Sequence, residues 1–254
     1  MSTTTNVQRS VSAQARPATA VKTATRMAYL DSLRAILIVL VIALHTAITY
    51  GAQGDWTFED PLQTEVSGIV LTFVTTMVQA FSLGLYFFIS GYFTPRSYDR
   101  KGAAQFWKDR LIRLGIPLVV YTFALSRIPT YFAQVGRHEI SMSFWDYARR
   151  TFFTGADEGP TWFIFALLLF LAGYSLWRLA TRAVEMKWIR QLKVPGRKQI
   201  LGFGVVVAAL MFVLGLGYSV GDTVEVFGIF NLMVIFFVQY ILFFIAGILA
   251  YRND

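Results

Sequence analysis

Two ionisable side chains in one apolar run carry the chemistry that this sequence offers. The run from Leu30 to Tyr50 reads L-D-S-L-R-A-I-L-I-V-L-V-I-A-L-H-T-A-I-T-Y; Arg34 opens it and His45 lies eleven positions on. Steps of about 100° bring that spacing to about three turns plus roughly 20°, so a helix puts both residues on one face, about 16 Å apart along its axis. In a membrane-spanning helix that rise is about half the hydrocarbon thickness, which sets Arg34 at one surface and His45 near the midplane. An imidazole titrates near neutrality and burial keeps it neutral, so His45 is equipped to take a proton from a hydroxyl. The same ring also suits a hydrogen bond between helices, a common use of polar groups in membrane bundles. Arg34 has two readings as well. It is a positive anchor at the inner surface, paired with Asp31 one turn earlier, or a guanidinium fork for phosphate.

A second polar set lies at Gln79, Ser82, Tyr86 and Ser90. On one helix those spacings make a stripe, which either lines a cavity beside His45 or ties helices together. Within it, Gln79 and Ser82 are candidate hydrogen-bond donors to a developing oxyanion. The basic stretch from Arg96 to Arg113 adds Arg100, Lys101, Lys108 and Arg110 at the surface expected for Arg34. It is a topology signal, a contact for anionic lipid, or a pocket for a polyphosphate ligand. Arg127 falls inside an expected span, where a charge needs a partner or water. Asp157, Glu158 and Trp162 border the outer mouth of the fourth span, as an interfacial belt or an acceptor platform.

The elements that must position these groups follow from composition. The chain has 254 residues, 56% hydrophobic and 15% charged, against about 45–50% and about 25% in soluble domains. The excess is gathered into runs of membrane-spanning length, so the expected fold is an all-α, polytopic transmembrane helix bundle. Six spans are expected, at about 33–50, 66–93, 114–135, 161–177, 200–220 and 227–251, with Asp31 and Ser32 as natural caps of the first. Residues 1–28, rich in Ser, Thr, Ala and Gln and without an acid, read as a disordered cytoplasmic tail, and their composition also fits an organelle transit peptide. The membrane domain fills 29–254.

The net charge of +8 comes from residues clustered between apolar runs, which is a topology pattern and not a nucleic-acid-binding face. With the amino terminus inside, 19 of the 23 Lys and Arg fall on the inner side, so both termini are expected in the cytoplasm. The absence of cysteine excludes disulfides and thiolate nucleophiles, and two histidines, His45 and His138, argue against a multi-histidine metal site.

Four pieces in order, Y-L-D-S-L-R-A with R-x10-H, F-F-I-S-G-Y-F, F-W-K-D-R-L-I-R-L-G-I-P and G-P-T-W-F-I-F-A-L-L, resemble the acyltransferase 3 family of integral membrane O-acyltransferases, and within it the glucans biosynthesis protein C group. The resemblance covers about residues 29 to 251. It implies transfer of an acyl group, of the acetyl or succinyl class, from cytoplasmic acyl-CoA to a hydroxyl of a glycan or other envelope acceptor, lipid-linked acceptors included. It implies that His45 is the catalytic histidine and that Arg34 holds the donor through phosphate. Arg110 and Arg113 match the loop motif, and we assign them to the same donor site. Acyl-CoA is a co-substrate, with no cofactor or metal bound permanently, and the location implied is the bacterial inner membrane. The family carries more spans than the six read here, so the domain is expected to be incomplete at its carboxyl end. Two other readings stand beside this one: a proton-coupled transporter or flippase with His45 as relay, and a non-catalytic truncated homologue.

Overall fold

The structure is a computed structural model that describes residues 28–54, 56–58, 64–152, 154, 157–181, 195–219 and 221–253. The expected tail up to residue 27, the acidic positions Asp55, Glu59 and Asp60, and the basic segment from Arg182 to Lys193 lie outside the described residues.

Helix α1 spans Ala28–Thr49. It already includes Asp31 and Ser32, which lie inside the helix rather than at its cap. Asp31 pairs with Arg34 at 3.7 Å across one turn. Helix α2, Glu65–Gln79, starts on a capping box in which Thr64 and Ser67 satisfy each other's end groups. The single span expected over 66–93 is broken here. The chain leaves α2 at Ala80 and Phe81 and resumes as α3, Ser82–Arg110. A carbonyl at such a break needs a donor when it is buried. Gln239 supplies it from 159 residues away, its Nε2 donating to the Ala80 carbonyl at 2.6 Å.

The basic stretch expected as a loop is helical. Helix α3 continues through it and bends only at Gly102, whose φ of 73° suits a residue without a Cβ. Lys101 and Asp109 form an ion pair across that bend. Two wide π turns follow, Leu111–Gly115 and Tyr121–Leu125, separated by α4, Ile116–Val120, and followed by α5, Arg127–Gly136. Pro117 and Pro129 explain them. Neither has an N–H to give to the carbonyl four residues back, at Arg113 and at Leu125, and both carbonyls lie in the widened turns.

Helix α6 is Phe144–Arg150 and α7 is Trp162–Ala180, entered through a short 3-10 turn at Gly159–Thr161. Helix α8 is Arg197–Gly215 and α9 is Val234–Asn253. Among the described residues, five stretches are long and apolar enough to cross a membrane: Asp31–Thr49, Glu65–Gly136, Gly159–Ala180, Arg197–Gly215 and Val234–Asn253. The second and third of the six expected spans fall together in the 72-residue stretch, because helical structure runs through the segment between them. The last expected span starts seven residues later than its apolar run, since a hairpin takes that ground. Strands β1, Thr223–Val226, and β2, Phe230–Met233, pair antiparallel with Val226 opposite Phe230. The all-α expectation is corrected to that extent. The alternation V-E-V before a turn through Gly228, at φ 69°, is a hairpin pattern.

The core lies between α3, α7 and α9. Tyr240 is fully buried and stacks on Phe87 at 4.9 Å. Phe87 in turn meets Phe170 at 5.1 Å, and Phe230 of the hairpin lies flat on Phe165 at 3.9 Å. One acidic residue joins the far ends of the same three helices. Asp99 on α3 takes Arg178 of α7 at 2.9 Å and Arg252 of α9 at 3.4 Å.

Arg127, 3% exposed, has found its partners. Its guanidinium donates to the Thr151 carbonyl at 3.0 Å, to the Phe152 carbonyl at 2.7 Å and to the Phe123 carbonyl. It therefore closes the carboxyl end of α6 against α5, a structural task. Arg127→Met should lower stability by about 2 kcal/mol, since charged hydrogen bonds contribute about 1.5–3 kcal/mol each and are not additive. Thermal unfolding in detergent measures it. Arg127→Lys should recover only part of the loss, because a compact ammonium lacks the spread, planar donors of a guanidinium.

Candidate functional site

His45 lies four residues from the end of α1, so its ring is about 6 Å below the helix terminus, and it is only partly buried. Its Nδ1 is 2.8 Å from the Val41 carbonyl. A carbonyl oxygen only accepts, so Nδ1 must donate, and the neutral ring carries its lone pair on Nε2. The ring packs against Trp56, with centroids 4.3 Å apart and planes at 47°.

Both rings line a cavity of about 410 Å³, with Val41, Ile42, Thr46, Thr49, Tyr50 and Pro160 as the other walls. The hydroxyls of Thr46 and Thr49 donate to the carbonyls of Ile42 and His45, at 2.9 and 3.1 Å. Among the cavity's side chains, Nε2 is therefore the strong acceptor that no bond within α1 uses. Pro160 reaches the cavity because the 3-10 turn closes tightly, with Thr161 donating to the Glu158 carbonyl through both N–H and hydroxyl.

The basic group gathers at the other end of α1. Arg34 lies over the Phe93 ring at 4.8 Å, and Arg110 over the Phe106 ring at 5.2 Å. Arg110 is desolvated and feels the like charges of Arg113 and Arg34 against the opposite charge of Asp109. The structure thus brings Arg34, Arg110 and Arg113 into one electrostatic group, although 76 residues separate Arg34 from Arg110. Three guanidiniums that repel one another attract a polyanion.

Gln79 and Ser82 are not among the walls of the His45 cavity. The stripe expected to carry them is interrupted, with Gln79 ending α2 and Ser82 opening α3. The Ser82 hydroxyl is buried without a partner among the described residues, in a segment that Gln239 touches on both sides, at Ala80 and at Gly84. Tyr86 packs edge-on to Phe163 at 6.0 Å, and the Ser90 carbonyl accepts the Thr94 hydroxyl at 2.7 Å. The Tyr86 contact joins α3 to α7, while the Ser90 bond stays within α3.

The three residues expected at the mouth of the fourth span are also structural. Asp157 accepts the Gly159 N–H at 2.8 Å. Glu158, 6% exposed, accepts the Asn231 N–H at 2.8 Å and so fixes the hairpin to α7. Trp162 turns inward against Tyr240 at 5.7 Å. The aromatic residue beside the imidazole is Trp56, which the sequence reading misses. Its signal is modest: a lone tryptophan in the loop that follows the helix bearing His45.

Comparison with known proteins adds the following. Glucans biosynthesis protein C of Escherichia coli K12 is 27% identical over 240 residues, which cover 90% of this chain and 59% of that protein. The proteins of the same name from Escherichia coli O1:K1 / APEC and from strain HS of O9:H4 are 26% identical over the same shares. The chain therefore spans about three fifths of the length of these relatives. No solved structure matches it. The family model of the acyltransferase 3 proteins, described as an acyltransferase domain, matches residues 27–254. With its apolar helices and this match over nearly the whole chain, the protein is a multi-pass integral membrane protein that belongs to the acyltransferase 3 family.

Proposed function

We propose that this protein is a membrane acyltransferase that moves an acyl group of the acetyl or succinyl class from cytoplasmic acyl-CoA to a hydroxyl of a glycan or other acceptor of the cell envelope. The observation that carries the reading is an imidazole Nε2 that no bond within α1 uses, set in a cavity about three turns along that helix from a cluster of three guanidiniums. Arg34, Arg110 and Arg113 bind the phosphates of the donor at the cytoplasmic end. The extended pantetheine arm then runs along α1 and brings the thioester to His45. The acceptor hydroxyl enters the cavity and gives its proton to Nε2 as its oxygen attacks the thioester carbonyl. The carbonyl oxygen takes up charge, the C–S bond breaks, and the sulfur leaves with the proton that the imidazolium returns. The products are the O-acyl ester and free CoA. Trapping both reactants in one cavity supplies the entropic part of the acceleration. The place of action is the bacterial inner membrane, where cytoplasmic donor and envelope acceptor are both within reach.

The relatives' printed name, glucans biosynthesis protein C, supports a glucan as the first acceptor to try. The test is transfer of label from radioactive acetyl-CoA or succinyl-CoA to envelope glycans in membranes that contain the protein. Label should appear only with the protein present. Arg110→Ala and Arg113→Ala should each raise the KM for acyl-CoA about tenfold, the equivalent of one charge-assisted phosphate contact of about 1.4 kcal/mol, and leave kcat nearly unchanged. Absence of label from every acceptor would return the imidazole to the proton-relay reading.

A further inference from the structure

We infer that Trp56 selects the acceptor: its indole receives the C–H face of a sugar ring and so presents a ring hydroxyl to His45 Nε2. This rests on the acyl-transfer reading of the site and goes beyond it by naming the residue that recognises the acceptor and the feature it recognises.

The cavity's walls are poor in hydrogen-bond donors. Its threonine hydroxyls give their protons to carbonyls of their own helix, Thr46 to Ile42 and Thr49 to His45. Val41, Ile42 and Pro160 offer apolar surface only. Such walls have few donors with which to read a pattern of hydroxyls, so recognition falls to shape and apolar contact. A pyranose ring supplies that contact, because its axial C–H bonds form an apolar face while its hydroxyls project at the rim. An open-chain polyol carries hydroxyls on every carbon and has no such face. Indole is the side chain with the largest flat surface for the purpose, and its negative π face attracts polarised C–H groups. A volume of about 410 Å³ falls within the range of small-molecule sites.

Trp56 is held in place before any ligand arrives. The Gln53 N–H donates to the Thr72 hydroxyl at 2.8 Å, and Arg137 donates to the Thr57 carbonyl at 3.1 Å. Ala52 is buried and its N–H returns to the Ala47 carbonyl at 2.9 Å. The loop is thus anchored to α1, to α2 and to the segment after α5, and Trp56 sits between the anchors. An aromatic residue fixed in advance costs little ordering on binding.

The experiment uses the full chain in membranes, radioactive acetyl-CoA and succinyl-CoA as donors, and three acceptors: a short β-linked glucose oligosaccharide, sorbitol and water. The wild type should prefer the oligosaccharide. Trp56→Ala should lower kcat/KM for the oligosaccharide about tenfold relative to transfer to sorbitol and to hydrolysis of the donor, mainly through the KM for the oligosaccharide. Trp56→Phe should restore most of the loss. An equal fall for all three acceptors would overturn the inference, because it would mean that Trp56 only holds the imidazole in place. An unchanged kcat/KM for the oligosaccharide would also overturn it. Both results leave acyl transfer itself intact. A wild type that moves no label to any acceptor overturns the inference together with the reading beneath it.

Discussion

His45→Ala is expected to cut acyl transfer by about 10²- to 10⁴-fold, the usual contribution of a positioned general base, while the protein stays in the membrane at its normal level. The two halves of that expectation have separate physical grounds. The activity falls because Nε2 is the strong acceptor of the cavity that no bond within α1 uses, and a hydroxyl without a base attacks a thioester slowly. The fold survives because the hydrogen bond that the ring makes among the described residues runs to its own helix, to Val41 one turn back. Removing it leaves an ordinary helical carbonyl and costs about 1 kcal/mol or less. Leu37 of α1, 1% exposed, is buried about two turns from the ring and is untouched by the change.

His45→Gln sharpens the test. Glutamine keeps polarity and much of the volume but cannot carry the proton away, so it should be as inactive as alanine. Label transfer in membranes, with the protein level read by immunoblot, measures both variants. Transfer at the wild-type rate in either one would remove His45 from the mechanism and leave the cavity as a binding pocket only.

The common face of Arg34 and His45 was legible because helical periodicity needs no tertiary information. The basic cluster was legible in its members, Arg110 and Arg113, but its joining to Arg34 depends on how α1 packs beside α3 at Phe93. The break after Gln79 was not legible. No proline or glycine marks Ala80 or Phe81, and the carbonyl exposed there is satisfied from α9. The hairpin was hidden for a different reason. Val, Phe, Ile and Leu around Gly228 have the hydropathy of a span, and a short apolar run does not separate strand from helix by itself. Arg127 showed as a charge inside a span, while its carbonyl partners arrive only when α6 folds back on α5. Trp56 reaches His45 through a loop closed by Thr72 and Arg137, side chains that no local pattern connects to it.

Gly247→Leu is expected to destabilise the bundle by at least about 3 kcal/mol, the upper end of what overpacking costs. Helices α3 and α9 cross through two glycines. A Cβ on Gly247 would run into the Phe88 carbonyl and lie 2.8 Å from the Tyr92 nitrogen, and one on Gly91 would run into the Phe244 carbonyl. Each glycine thus faces main chain rather than a side chain that could turn aside. Any added carbon must push the helix axes apart, and the Phe87–Tyr240 stack lies across the gap that opens. Within a membrane, apolar burial does little to hold helices together, so lost packing is not recovered elsewhere. Gly202→Ala on α8 is the control, since nothing stands within 4 Å of a Cβ there, and it should melt at or slightly above the wild-type temperature. The milder Gly247→Ala carries the same strain into function. Helix α3 bears Phe93 and Arg110, so its displacement moves them away from Arg34 and should raise the KM for acyl-CoA in protein that remains folded. Thermal unfolding of the purified protein in detergent gives the first result and donor kinetics the second. A Gly247→Leu protein that melts like the wild type would show that the two backbones do not meet at this crossing.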